Sequence, residues 1–219
     1  MKELLHNMNI EAVIFDLDGT LIDNNSFHLQ SWKQYLKDIG KHISEEQYKA
    51  HINGRTNKDA IEYIYGRQMS NEEAMIYTLQ KEEIYRNIYQ PFIKPLDGLL
   101  PLLEKLNELE MPMAIATSGI QVNIDFMFSH IPIEQYFKVV VNSVHIKAGK
   151  PDPEIYFKTA ELLNVIPERC LVFEDAVVGV QAAKGAGMKV IAITTTHTSE
   201  ELKEADMIIA DYFAVLAKR

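Results

Sequence analysis

The chain lacks the features that mark a secreted, membrane-spanning or nucleic-acid-binding protein. Its 219 residues include one cysteine, Cys170, so no disulfide can form within the chain. No apolar run approaches the roughly 18 residues that a membrane-spanning helix needs. Met1 to Asn9 lacks the apolar stretch of a secretion signal. These absences lead to the expectation of a cytoplasmic protein with no membrane partner. Basic residues are in deficit: 22 Lys and Arg stand against 31 Asp and Glu, for a net charge of -9 and a pI near 5.3. A nucleic-acid binder normally carries a basic face, so nucleic acid is not expected as a partner. The seven histidines are scattered without the spacing of a zinc site. There is no internal repeat and no low-complexity tract.

What remains is an ordinary composition, 47% hydrophobic and 24% charged. The length suits one large domain, or a core with a small insertion. Short apolar runs at 12–15, 113–116, 139–141, 171–173, 190–193 and 207–209 read as strands. Most lack alternation, which predicts a sheet covered on both faces. Cys170 stands at the head of one run and reads as a small buried strand residue rather than a nucleophile. Helical patterns lie between the runs. Leu99, Leu102, Leu103 and Leu106 have 3-4 spacing, and Ile155, Ala160, Leu162 and Leu163 follow it more loosely. Ala176 to Lys184 ends at the stop signal Gly185-Ala186-Gly187. Strands alternating with helices predict an α/β fold with a Rossmann-like parallel sheet flanked by helices.

Residues 24–94 break this rhythm, being polar and strand-poor. They read as helices over 26–39, 44–51, 57–65 and 71–89, closed by Pro91 and Pro95. Ser44 with Gln47, and Ser70 with Glu73, have the spacing of capping boxes. The predicted organisation is an α/β core of residues 1–23 and 95–219, with residues 24–94 as an inserted α-helical domain. Seven of the ten tyrosines fall in the insertion. They are expected to pack helix against helix with their hydroxyls in water.

In an open α/β sheet, ligands bind beyond the carboxyl ends of the strands. Polar residues just after the apolar runs are therefore the candidates. Asp16 and Asp18 follow the first run, in Asp16-Leu17-Asp18-Gly19-Thr20. Thr117, Ser118 and Gly119 follow the second. Lys150 follows the third, in Lys147-Ala148-Gly149-Lys150-Pro151-Asp152-Pro153. Glu174 and Asp175 follow the run at 171–173. Each alone has an ordinary reading: a turn, a helix N-cap, a loop with an exposed lysine, a pair of solvated first-turn acids. Their joint occurrence at strand ends, in this order, points to one site. Four carboxylates gathered there would repel one another without a cation, and hard oxygen ligands call for Mg²⁺. A metal that draws a phosphate oxygen toward Asp16 suits a carboxylate nucleophile and an aspartyl-phosphate. Asp18 then suits proton transfer. Ser118 and neighbouring N–H groups suit phosphate oxygens, and Lys150 a fixed positive charge.

The four segments resemble the four motifs of the haloacid dehalogenase superfamily, and the match covers nearly the whole chain. The likeness is greatest to the β-phosphoglucomutase-like branch, whose members carry a small helical cap and are mainly phosphatases of small phosphorylated metabolites. The resemblance implies a Mg²⁺-dependent phosphatase of such a metabolite, with a sugar phosphate as the expected class. It implies Asp16 as nucleophile and Asp18 as general acid and base. Thr117, Ser118, Gly119 and Lys150 would bind phosphate. The metal would be held by Asp16, the Asp18 backbone carbonyl and Asp175, with Glu174 a direct or water-mediated ligand. It further implies a cap that closes over the substrate, and makes Lys150-Pro151 a candidate cis bond. A monomer or weak dimer is expected.

A phosphosugar mutase is the alternative. Asp23, Asn24 and His28 resemble the mutase hinge, and His28 stands ten residues after Asp18, as the hinge histidine does. Gly54-Arg55-Thr56 resembles the cap loop that meets substrate, so His28 and Arg55 are candidate substrate contacts. Two departures weigh against the mutase. Gln121 stands where the mutase has a lysine, and Asn57 stands near the place of its cap-loop arginine. A non-catalytic phosphate-binding scaffold would not need both Asp16 and Asp18.

Overall fold

The computed structural model describes residues 1–53 and 55–217; Gly54 lies outside the described residues. In chain order the elements are α1 (Lys2–Asn7), β1 (Ala12–Phe15), α2 (Asn25–Asp38), α3 (Glu45–His51), α4 (Asn57–Tyr65) and α5 (Asn71–Tyr89). There follow α6 (Leu99–Glu108), β2 (Met113–Ala116), α7 (Gln121–His130), β3 (Val139–Val141), α8 (Glu154–Leu163) and β4 (Cys170–Glu174). The last are α9 (Val177–Gly185), β5 (Lys189–Ile193), β6 (Met207–Ile209) and α10 (Phe213–Leu216).

All six strands pair in parallel, in the order β3-β2-β1-β4-β5-β6. The unbroken apolar runs have the predicted cause. Val13 and Phe15 point into one apolar cluster, with Leu171, Phe173, Ile191 and Leu99, Leu102, Leu103 and Leu106 of α6. Ala12 and Ile14 point into another, with Val172, Val190 and residues of α8 and α9. A strand that buries both faces has no polar position to alternate with. Leu99, Leu102, Leu103 and Leu106 are all fully buried, each contributing roughly 1.5–3 kcal/mol. The looser pattern of α8 reads differently. Its buried face is Ile155, Tyr156, Thr159 and Ala160, while Leu162 is 54% exposed. Cys170 is buried at the start of β4, as expected.

Residues 24–94 fold as four helices around their own apolar cluster, which includes Trp32, Leu36, Ile52, Ile61 and Ala74. Ser44 and Gln47 form a reciprocal capping box. Ser70 makes only half of one: its hydroxyl accepts from the Glu73 amide, but the Glu73 carboxylate turns to Arg67. A guanidinium offers a stronger partner than one helix-end amide. The tyrosines pack as expected, but their hydroxyls are not all wet. The Tyr85 hydroxyl accepts from Asn24 at 2.7 Å, Tyr35 pairs with Tyr65 at 3.1 Å, and the Tyr89 hydroxyl is buried. The helical segment joins the sheet through two adjacent chain passages, with Ile22 bridged to Pro95 and the Leu96 amide bonded to the Leu21 carbonyl at 3.0 Å.

Candidate active site

Parallel strands end together, so the residues after β1, β2 and β4 meet at one edge of the sheet. β1 is the centre of that edge, with Phe15 level with Ile115 on one side and Phe173 on the other. Asp16 follows at once, its amide bonded to the Phe173 carbonyl at 3.0 Å. Its carboxylate accepts from Lys150 Nζ at 2.7 Å. The same Nζ donates to Glu174 Oε1 at 2.5 Å. Lys150 is thus no exposed loop residue: it is 3% exposed. Burial alone would lower its pKa, but Asp16 and Glu174 outweigh burial and hold it as an ammonium. The Lys150-Pro151 bond, a candidate in the sequence, is cis.

Glu174 and Asp175 are also buried rather than solvated. Tyr156 donates to Glu174 Oε1 at 2.7 Å, and the amides of Asp175 and Ala176 donate to Oε2 at 3.0 and 3.2 Å. Four donors therefore fix Glu174. Asp16, Glu174 and Asp175 each offer an oxygen within 4.8 Å of the others'. One ammonium faces three carboxylates. Burial, with repulsion from Glu174 and Asp18 and against the pull of Lys150, drives the Asp16 pKa up to about 8. Asp175 is raised in the same way, by burial and then by Glu174 and Asp16. Crowded hard oxygens short of positive charge fit a divalent cation, which would replace the held protons.

Gly19 makes this crowding feasible. Its φ is +77°, and a Cβ there would lie 2.1 Å from Asp175 Oδ2. An L side chain would meet both backbone strain and a collision.

Asp18 sits at the boundary between sheet and helices. Its Oδ1 accepts from Asn24 Nδ2 at 2.5 Å and lies 3.4 Å from His28 Nε2. The other ring nitrogen, Nδ1, is 2.7 Å from Lys81 Nζ. Where Lys81 is an ammonium it has no lone pair, so Nδ1 accepts from it, which puts the proton of a neutral ring on Nε2, between Asp18 and the Asn24 amide at 3.3 Å. Lys81 is itself buried and donates to Glu82 at 3.0 Å. Glu82 accepts from Asn123 of α7 at 2.8 Å, and Asn123 accepts from Arg86 at 2.9 Å. Burial pushes the Asp18 pKa up, but His28, Asn24 and Lys81 outweigh burial and hold it below the usual carboxylate range.

Thr117 is buried with its hydroxyl accepting from the Gly119 amide at 2.9 Å. Asp16, Asp18, His28, Arg55, Thr117, Ser118, Gly119, Lys150, Glu174 and Asp175 all line one cavity of about 70 Å³. That is room for several waters or one phosphate. A cleft of about 550 Å³ lies on the far side of α4, and none of these ten residues lines it. Gln121 faces away from the site cavity, bonded to Asp125 and Asn142. Asn57 and Arg55 both line it.

Sequence reasoning missed Lys81, Glu82, Asn123, Asn25 and Tyr156. A signal existed for the first two. Ala74, Thr78, Lys81, Glu82, Tyr85 and Tyr89 are the buried residues of α5, and their 3-4 spacing places the Lys-Glu pair on the inward stripe.

The chain matches the family model described as haloacid dehalogenase-like hydrolase over residues 13–193. It is 31% identical over 201 residues to a phosphorylated carbohydrates phosphatase of Thermotoga maritima, covering 91% of this chain and 93% of that protein. It is 28% identical over 184 residues to a fructose-1-phosphate phosphatase of Escherichia coli, covering 83% and 95%. Among solved structures, a haloacid dehalogenase-type hydrolase (family IA, variant 3) of Entamoeba histolytica superposes with a TM-score of 0.83 at 35% identity, covering 94% and 95%. A β-phosphoglucomutase of Clostridium difficile superposes at 0.82 with 25% identity, covering 94% and 93%. No described helix is long and apolar enough to cross a membrane.

Proposed function

This chain belongs to the haloacid dehalogenase-like hydrolases, in their β-phosphoglucomutase-like branch, and from that premise we propose that it hydrolyses a small phosphorylated carbohydrate with Mg²⁺. It is a phosphatase by kinship with named phosphatases. The observation that carries the finer reading is Asp16 beside one buried ammonium and two further buried carboxylates at the sheet edge. In this reading Asp16, Asp175 and the Asp18 carbonyl hold Mg²⁺, with Glu174 bracing the set. The metal supplies positive charge that draws the phosphate in and offsets charge developing on its oxygens.

The chain's own groups do the rest. Asp16 attacks phosphorus in line with the sugar oxygen, the phosphorus–oxygen bond breaks, and an aspartyl-phosphate forms. Lys150 and Ser118 hold the phosphate oxygens. Asp18, which His28 and Asn24 hold ionised against burial, has to take up a proton as substrate enters; it passes that proton to the departing sugar oxygen and then takes one from the water that attacks the aspartyl-phosphate. Inorganic phosphate leaves and Asp16 is restored. Residues 24–94 act as a cap over the core of residues 1–23 and 95–219. The cavity is lined from both segments, by His28 and Arg55 on one side and Asp16 and Lys150 on the other, so the cap lifts to admit substrate. A cytoplasmic setting, with the chain as a monomer or weak dimer, completes this reading.

The test is phosphate release from a panel of sugar phosphates, with Mg²⁺ and with chelator, against an Asp16→Asn control. Mg²⁺-dependent turnover of at least one carbohydrate ester is expected, and a panel without turnover above control overturns the reading. The contact between His28 and Asp18 favours a second reading, the mutase. Incubation with β-glucose 1-phosphate and a trace of the bisphosphate separates the two. Free phosphate is expected; accumulation of glucose 6-phosphate would favour the mutase.

The same contact carries a pH prediction. His28 lowers the Asp18 pKa, so its removal raises it. If the ionised Asp18 activates water, His28→Ala moves the acid limb of the kcat profile to higher pH. A limb that stays in place would dissociate Asp18 ionisation from the rate.

A further inference from the structure

Three consecutive residues beyond β5 reach back over the site, although the hydrolysis above uses none of them. The Thr195 hydroxyl donates to the Gly19 carbonyl at 2.5 Å. The Thr196 hydroxyl accepts from Asn25 Nδ2 at 2.7 Å. His197 Nδ1 lies 3.1 Å from the Asp175 carbonyl. Asn25 Nδ2 also donates to Asp175 Oδ2 at 3.0 Å. One amide nitrogen therefore joins the first residue of α2, the loop after β5 and a carboxylate at the end of β4.

Helix capping does not explain this placement. Asn24 is the N-cap of α2, the position where an asparagine side chain ordinarily bonds to a first-turn amide. No such bond forms here. Asn24 turns instead to Asp18, and Asn25, the next residue, to Asp175. Two adjacent residues at the root of the helical segment each hold one carboxylate of the sheet edge. The contact at Asp175 is close-packed: a Cβ on Gly19 would lie 2.3 Å from Asn25 Nδ2 and 2.1 Å from Asp175 Oδ2. No side chain fits beside it.

We propose that Asn25 is a positioning residue that ties cation binding at Asp175 to the seating of α2. Thr196 and Asp175 both belong to the sheet domain, and Asn25 belongs to the helical segment. When α2 swings out, Asn25 leaves and Asp175 keeps the Thr196 hydroxyl but loses the amide donor on Oδ2. Seating α2 therefore improves the cation site, and by reciprocity a bound cation favours the seated helix by the same factor. Outer partners of metal ligands carry this kind of effect, worth about 10–100-fold in metal affinity. The inference rests on the reading above in taking Asp175 as a cation ligand and residues 24–94 as a cap that lifts.

The test needs no substrate. Mn²⁺ binding is followed by the loss of the free-ion paramagnetic resonance signal, and hydrogen exchange over residues 25–38 is compared with and without Mg²⁺. Wild-type protein should bind Mn²⁺, and Mg²⁺ should slow exchange in α2. Asn25→Ala should weaken Mn²⁺ binding about 10-fold and remove the Mg²⁺-dependent slowing. Thr196→Ser, which keeps the acceptor, should behave as wild type, and Thr196→Val should weaken binding. If Asn25→Ala binds Mn²⁺ as wild type does, or keeps the Mg²⁺-dependent slowing, this inference fails alone. If the wild-type protein itself binds no Mn²⁺, the cation reading fails and takes this inference with it.

Discussion

Asp16→Asn should lower phosphate release about 10⁴-fold or more, the scale seen when a covalent nucleophile is removed, and yet stabilise the metal-free protein. The two effects have one cause. Asp16 is buried beside Glu174 and Asp175, with only Lys150 to offset three carboxylates. Burial holds its pKa near 8 in the folded state, against an ordinary value of 3.8. Between those values the folded chain keeps a proton that the unfolded chain has lost. Folding stability therefore falls as pH rises through this window and levels off above about 8. Asparagine has the same shape and never ionises. The melting temperature of the metal-free variant should exceed that of wild type, by a margin that grows from pH 5 to pH 8. Mg²⁺ should reverse the order by stabilising wild type more. Equal melting temperatures across this range would show that Asp16 ionises freely in the folded state.

Lys150→Met should be the most damaging change to folding. It removes the one ammonium that faces Asp16 and Glu174 at 2.7 and 2.5 Å, in a site 3% exposed. Breaking a buried ion pair by deleting one partner costs about 3–5 kcal/mol, because the other charge is left unpaired. The loss should be largest near pH 8, where Asp16 must ionise, and should shrink toward pH 5, where Asp16 keeps its proton. Phosphate release should vanish as well, and Lys150→Arg should not restore it. A guanidinium is wider than the ammonium, and the Tyr156 ring already covers Nζ, its centroid 5.2 Å away. Urea denaturation at the two pH values measures the first claim and phosphate release the second. A pH-independent loss would mean that packing, not charge, dominates.

The core was legible because its signals are local. A strand covered on both faces leaves an unbroken apolar run, and a parallel strand leaves its polar successor at the sheet edge. Asp16, Thr117 and Glu174 could thus be placed from single windows of sequence. The helical segment gave up its helices for a similar reason, since Ser44 and Ser70 each cap the helix that follows; Thr56 caps α4 in the same way without having been read from the sequence. What stayed hidden depends on long-range meetings. Lys81 contacts His28 from 53 residues away, and Asn25 contacts Thr196 from 171. Nothing near Lys81-Glu82 distinguishes it from solvated helix charge except the stripe it shares with Tyr85 and Tyr89. Leu162 failed for the converse reason. It is apolar and close to the expected spacing, but the face of α8 that meets the sheet runs through Tyr156 and Thr159 instead.

The central place of β1 also sets a gradient of lifetimes. β1 has a hydrogen-bonded strand on each side and apolar clusters on both faces. Its amides are released only when the whole domain unfolds, and they should be among the slowest to exchange with solvent. α2 to α5 share a smaller cluster of their own and hang from two chain passages. As the proposed cap they would open at lower cost than the sheet unfolds, breaking contacts such as Asn25 to Asp175 and Asn123 to Glu82, so their amides should exchange sooner. Asp16 stands on the slow side of this gradient, and His28 and Arg55 on the fast side. In the proposed reaction the protein would exchange one bound molecule for another many times without disturbing the carboxylate assigned to attack phosphorus.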